Sequence, residues 1–223
     1  MKTLNSYVGK IVDLEVSGKL FYTGFLVDVG DDIIVLNTGE KFLYLPFIHI
    51  HNIKLSKTEE SEIEDSTASS AHIDTEADEV TYRKLLENAR ELFLEIYITE
   101  NHTIHGYLIN IMDDYFVFYS PVYHTMFISL DHLKYFTPYN PGLTPYSVGI
   151  EHFPVKPFNG SLAHNFEQQL KLLEGKFILL DLGQNPNKIG FFKKLECNTI
   201  QLTTANRETF HWNIRHIKTV HLP

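Results

Sequence analysis

Histidine is the residue type best suited to chemistry in this chain, with 12 among 223 residues. His49 and His51 form a His-x-His pair, and alternate residues of a strand project to one side. Joined by His132, His211 and His216, they would offer the three or four converging nitrogens that a tetrahedral zinc ion needs. The spacing argues against this. No Cys-x-x-Cys or His-Glu-x-x-His pattern is present, and His51, His132 and His216 lie in separate segments near one recurring motif. A local hydrogen bond for each is the simpler expectation.

The other reactive types read similarly. Asp31 with Asp32, and Asp113 with Asp114, would make paired carboxylates. Asp between strands is also ordinary turn chemistry, because its side chain bonds nearby backbone, and the alternating acids of a calcium loop are missing. Cys197 is the only cysteine. It would need His211 or His216 as a base, and the expectation is packing within an apolar strand. Lys54, Lys134 and Lys218 would suit a phosphate, or act as solvated guards of strand edges. The run Tyr115 to Tyr119 would stack bases, or fill a core and an interface. No P-loop, nucleophile elbow or dinucleotide fingerprint occurs. The residues therefore predict no catalytic, cofactor or metal site, and a chain that is not an enzyme.

What positions these residues is a pattern written three times. Each copy has a glycine inside a β-rich run: Gly24 in FYTGFLVDV, Gly106 in TIHGYLINI and Gly190 in NKIGFFKKL. Each closes on an apolar–any–Asn/His–apolar–Lys phrase, containing Asn52 and Lys54, His132 and Lys134, or His216 and Lys218. From glycine to lysine is 30 residues in the first copy (24 to 54) and 28 in the others (106 to 134, 190 to 218). Internal repeats of this kind set the architecture. The glycines and the closing phrases are the expected structural motif.

The repeat predicts barrel units at 1–57, 80–137 and 162–223, each preceded by a short helix. Between them, 58–79 is rich in Ser, Thr, Glu and Asp and predicts an acidic, disordered linker. Residues 138–161 hold five prolines and predict an extended, partly ordered strap. Tyr82, Leu85, Leu86 and Ala89 share one helical face, as do Phe166, Leu170 and Leu173, with Gly175 as a C-terminal cap. Within each unit, short alternating strands are joined by tight turns, and a glycine bends the second strand. A helix and five strands bent in this way are the plan of an Sm-like (SH3-type) barrel. The predicted class is mainly β, with three such barrels in tandem.

Composition narrows the partners. A net charge of −9 disfavours nucleic acid and anionic membranes. The opening MKTLNSYVGKIV has no secretory pattern, and no apolar run reaches bilayer length. Retention inside the cell is the expectation.

Two resemblances follow from these motifs. Val8 to Leu14 with Gly18, Tyr22, Gly24, Leu26 and Asp32 resembles the first motif of Sm proteins. The second Sm motif, a hydrophobic–Arg–Gly turn, is absent, so RNA binding is not carried over; an Sm-like nucleic-acid-binding module stays the alternative. Phe210 to Val220, FHWNIRHIKTV, resembles the closing phrase of repeated units in the CotB-like family of outer spore coat proteins. Ile48 to Lys54 and Ile128 to Lys134 resemble it more loosely. That family's stretch before the glycine survives only faintly, in Leu182 to Gly190, and its basic, serine-rich tail has no counterpart here. The resemblance implies a structural protein made in the mother cell and built into the spore coat. Its partners would be other coat proteins and copies of itself; the likeness to Sm-like units implies a ring of units as one arrangement. It implies no cofactor.

Overall fold

The computed structural model describes residues 2–58, 71–73, 80–90, 92–99, 102–143, 145–148 and 158–223. The chain is mainly β, with antiparallel strand pairs throughout the described residues. It forms two compact units, 1–105 with 133–153, and 106–132 with 154–223.

The first unit begins with α1 (Lys2–Asn5), β1 (Ile11–Val16), β2 (Leu20–Val29), β3 (Ile33–Asn37) and β4 (Phe42–Pro46). A 3-10 turn at Phe47–His49 leads into β5 (Ile50–Leu55). Then come α2 (Tyr82–Asn88), β6 (Phe93–Thr99) and the start of β7 (His102–Ile111). β10 (Tyr135–Pro138) completes the unit. β1 pairs with both β2 and β5, and the hairpins continue to β3 and β4. The apolar alternation of IVDLEV explains this directly. Val12, Leu14 and Val16 are buried with Leu26, Ile34, Leu36, Leu43 and Leu45, each such burial contributing about 1.5–3 kcal/mol.

The second unit continues β7 into β8 (Tyr115–Ser120) and β9 (His124–Ser129), with a 3-10 turn at Leu130–His132. It then holds α3 (Phe166–Lys171), β11 (Phe177–Leu180), β12 (Ile189–Glu196), β13 (Thr199–Thr203) and β14 (Thr209–Asn213). Another 3-10 turn, Ile214–His216, precedes β15 (Thr219–His221). β11 pairs with β12 and β15, as β1 pairs with β2 and β5. Phe166 and Leu170 of α3, and Leu173 just after it, pack onto Ile178, Phe192, Ile200 and Leu202.

The three glycines do one job. A Cβ on Gly24, Gly106 or Gly190 would stand 2.3, 2.0 or 2.4 Å from the carbonyl oxygen of Asn37, Tyr119 or Thr203, on or beside the adjoining strand. Two residues later the ladder shifts register in all three copies, at Leu26/Asp28, Leu108/Asn110 and Phe192/Lys194. Close backbone approach followed by a bulge is how a second strand bends sharply.

Closure is where the structure departs from the expectation of three separate barrels. Among the described residues, the fourth strand of a repeat does not pair with that repeat's own fifth strand. β4 pairs with β10, the fifth strand of the next copy, and β9 pairs with β15. The sheet stays open. The physical reason is that a neighbour's strand satisfies the same edge that closure would otherwise have to cover.

Most of the expected acidic linker, residues 59–70 and 74–79, lies outside the described residues. Ala71 to Ile73 is docked. The Ala71 N–H donates to the Pro138 carbonyl at 3.0 Å, the Ile73 N–H donates to the Tyr44 hydroxyl at 2.6 Å, and Ile73 is buried. Of the proline-rich strap, Phe158 packs on the second unit's core.

Candidate assembly interface

The residues that join one repeat to the next form the same seam twice. In the first unit, the Asp32 carboxylate accepts the Tyr82 N–H at 2.7 Å, at the start of α2. The Asp31 N–H donates to the Val80 carbonyl at 3.0 Å. In the second unit, the Asp114 carboxylate accepts the Phe166 N–H at 2.7 Å, at the start of α3, and the Asp113 N–H donates to His164 at 3.0 Å. Helix N-termini leave backbone donors unsatisfied. Thr81 and Asn165, just before each helix, cap one donor apiece, and the Asp turn of the preceding repeat takes one more. The Asp-Asp pairs are thus more than local turns: they anchor the helix of the following repeat.

Strand pairing completes each seam. Tyr44 faces Phe136, their rings stacked at 4.9 Å. Val220 faces Phe127, flanked by Thr219 with Ile128 and His221 with Met126. The register is the same. Tyr44 and Phe127 each stand three residues before a 3-10 turn, and Phe136 and Val220 each stand four residues after one.

Polar side chains support the second seam. The Tyr115 hydroxyl lies 2.8 Å from the Ala163 carbonyl and 3.0 Å from Gln169 Oε1. Burial, with the Asp114 charge adding to it, pushes this phenol up to about 12. Tyr115 and Val117 belong to the core that holds the third repeat, so one face of the aromatic run does lie against another repeat. His132 donates from Nε2 to the Arg215 carbonyl at 3.0 Å. Burial holds its imidazole below the usual histidine range, against the opposing effect of that hydrogen bond.

An open cleft of about 580 Å³ runs along this seam, bordered by Asp114, Asp131, His132, Asn165, Glu167 and Arg215. Four of the polar side chains that border it are engaged in structural bonds. Asp114 and Asn165 cap α3, Glu167 pairs with Lys171 at 2.8 Å, and His132 holds Arg215. The arrangement is that of a joint.

Two comparisons with known proteins bear on this chain. The profile described as "YwrJ third domain" matches residues 165–220. That span runs from the cap of α3 to β15. A protein of Bacillus subtilis (strain 168), "Uncharacterized protein YwrJ", is 38% identical over 225 residues, covering 100% of both chains. The chain belongs to the YwrJ family. The third-domain match begins at Asn165, the residue that caps α3, so the matched span takes in the helix together with the strands that follow it.

The closing phrases take different places in the three repeats. His132 and His216 end their 3-10 turns, and the residue in that place in the first repeat is His49. His49 is buried, with Nδ1 3.1 Å from Ser17 Oγ. Asn52 and Lys54 lie farther on, in β5, where Lys54 faces Asp13 at 3.5 Å. Lys134 sets its ammonium over the Tyr97 ring at 5.5 Å. The Lys218 N–H donates to Asp181 Oδ1 at 2.7 Å. His51, His211 and His216 are exposed, and no cluster of three or more metal-ligating side chains forms among the described residues.

Cys197 differs from the packing expectation. It is exposed, at φ 49°, in the two-residue turn between β12 and β13 with Asn198 at φ 58°. Asp181 is the residue that sequence reasoning missed. Its buried carboxylate accepts the Lys218 and Thr219 N–H groups and pairs with Lys188. The signal for the helix-anchoring role of Asp32 and Asp114 was available: the Asp-Asp pair occurs in the two repeats that a helix follows, and Cys197-Asn198 replaces it in the third.

Proposed function

We propose that this chain is a non-enzymatic structural protein that joins a larger protein assembly through its strand edges. Each repeat is read as an Sm-like (SH3-type) unit that lends its fourth strand to the fifth strand of a neighbour. The observation that carries the reading is the seam made twice at one register, Tyr44 with Phe136 and Phe127 with Val220. Edge pairing builds continuous sheets from separate units with main-chain bonds alone. The likeness of FHWNIRHIKTV to CotB-like closing phrases supports the spore coat as the setting, with synthesis in the mother cell and coat proteins as partners.

The test is a fluorescent fusion expressed from its own promoter in a sporulating host, followed by extraction of the coat layer. Signal confined to the mother cell, and recovery of the chain in the coat extract, are the expected results. Uniform signal in vegetative cells would overturn the coat setting. A mobility shift of RNA at low salt would instead favour the Sm-type nucleic-acid module.

A further inference from the structure

The two seams define a rule: the fourth strand of one repeat pairs antiparallel with the fifth strand of the next. Three repeats make two seams and leave two half-seams. Among the described residues, no strand pairs with the outer edge of β14, a fourth strand, or with that of β5, a fifth strand.

Burial separates the used strands from the open ones. β10 is buried at all four residues, and β15 at all three. β5 is buried at none, and Leu55 is 45% exposed. On the other side, Leu43 and Leu45 of β4 and Met126 and Ile128 of β9 are fully buried. Their counterparts in β14, Phe210 and Trp212, are only partly covered. Strands of the same descent and position thus lack cover only where no neighbour is seated.

We infer that a second copy of this chain covers them, with β14 of one molecule pairing antiparallel with β5 of the other. The inference rests on the proposed role in edge-to-edge assembly and names its edges, polarity and register. Continuity with the internal seams selects the occupant, because β14 and β5 are the two complementary halves of the joint that the chain already makes within itself. Transferring the register sets His211 opposite Ile53, Trp212 opposite Asn52, and Phe210 opposite Lys54. β14 is ordered in advance for this. The Trp212 indole N–H donates to the Asn187 carbonyl at 3.2 Å, and its ring stacks on Phe210 under the Lys188 ammonium. The charge on Lys54 is matched across the sheet by Asp13, so it opposes docking less than an unpaired edge lysine would. The contact is head-to-tail: different surfaces meet, so a pair joined by one contact keeps one open β14 and one open β5.

The experiment is disulfide trapping with the full chain in a Cys197→Ser background. Directly opposed residues of antiparallel strands bring their Cβ atoms within disulfide range. Mild oxidation of mixed Ile53→Cys and His211→Cys chains is expected to give a covalent dimer. Either variant alone, and Asn52→Cys mixed with His211→Cys, are expected to stay uncrosslinked. Sedimentation of the unmodified chain across a concentration series is expected to show species larger than the monomer, and His211→Pro, which blocks only the β14 edge, to remove them while melting cooperatively. Should His211→Pro fail to fold, the trapping result decides. Monomer throughout with no mixed crosslink overturns the inference, as does equal crosslinking of each variant with itself. If that happens while the chain still enters the coat extract, the assembly reading stands and only the second copy falls. A self-associating chain absent from the coat gives the converse.

Discussion

The Asp114 carboxylate accepts the Phe166 backbone N–H at 2.7 Å, across 52 residues of sequence. Asp32 and Tyr82 stand in the same relation at the same distance. The turn of one repeat therefore positions the helix of the next. Asp114→Ala is expected to cost about 1–2 kcal/mol in urea unfolding, the range of a lost helix cap. Asp32→Ala should cost less, because its bond is exposed to solvent. Glu167→Ala, an exposed neighbour on α3, serves as the control and should change stability little.

The glycine contacts set a steeper penalty. Gly106→Val would force a branched side chain against the Tyr119 carbonyl, where even a Cβ falls at 2.0 Å. A loss of about 3 kcal/mol or more is expected in thermal melts, since backbone of both strands has to move. Gly175→Ala has open space around its Cβ but φ of +78°, and should cost about 1–2 kcal/mol for the left-handed backbone alone. Equal losses for the two variants would contradict the close-approach account.

Asp181 holds β15 to the body of the second unit through two backbone donors and Lys188. Removing one partner of a buried ion pair leaves the other uncompensated. Asp181→Ala is expected to lose about 3 kcal/mol or more in urea unfolding. Lys188→Met with Asp181→Asn should recover part of it.

Two histidines of the second unit give stability a pH dependence. Burial holds the His132 imidazole below the ordinary range, with Lys218 adding to this and Asp181 and Asp131 opposing it. Burial does the same for His221, helped by His124. Both are favoured neutral in the fold, so the unfolded chain binds protons first as acid is added. Their contribution is complete above the unfolded value of about 6.5 and is lost as pH falls through it toward the lower folded values. The urea midpoint should therefore drop between about pH 7.5 and pH 5.5, and His221→Gln should flatten that drop. An unchanged slope in the variant would assign the acid sensitivity elsewhere.

Much of the architecture was legible in the chain. The spacing of Gly24, Gly106 and Gly190 announced three copies, because a backbone that must pass within contact distance of another tolerates no side chain. The alternation in IVDLEV and the faces of α2 and α3 were readable for a similar reason: local burial leaves a local period. The closing phrases were harder. Lining up lysines put Asn52 beside His132 and His216, whereas the fold puts His49 there, since a 3-10 turn and not a lysine marks the place.

Sequence alone determined the repeat, the strands and the bend in each second strand, all of which arise from neighbours in the chain or from one residue's missing side chain. Only the tertiary structure decided where the fourth and fifth strands go. A β-edge offers identical backbone donors and acceptors to its own repeat or to the next, so nothing in the side-chain pattern distinguishes closure from exchange. The choice lies in which partner the folded backbone brings within hydrogen-bonding reach, and here Tyr44 meets Phe136 and Phe127 meets Val220.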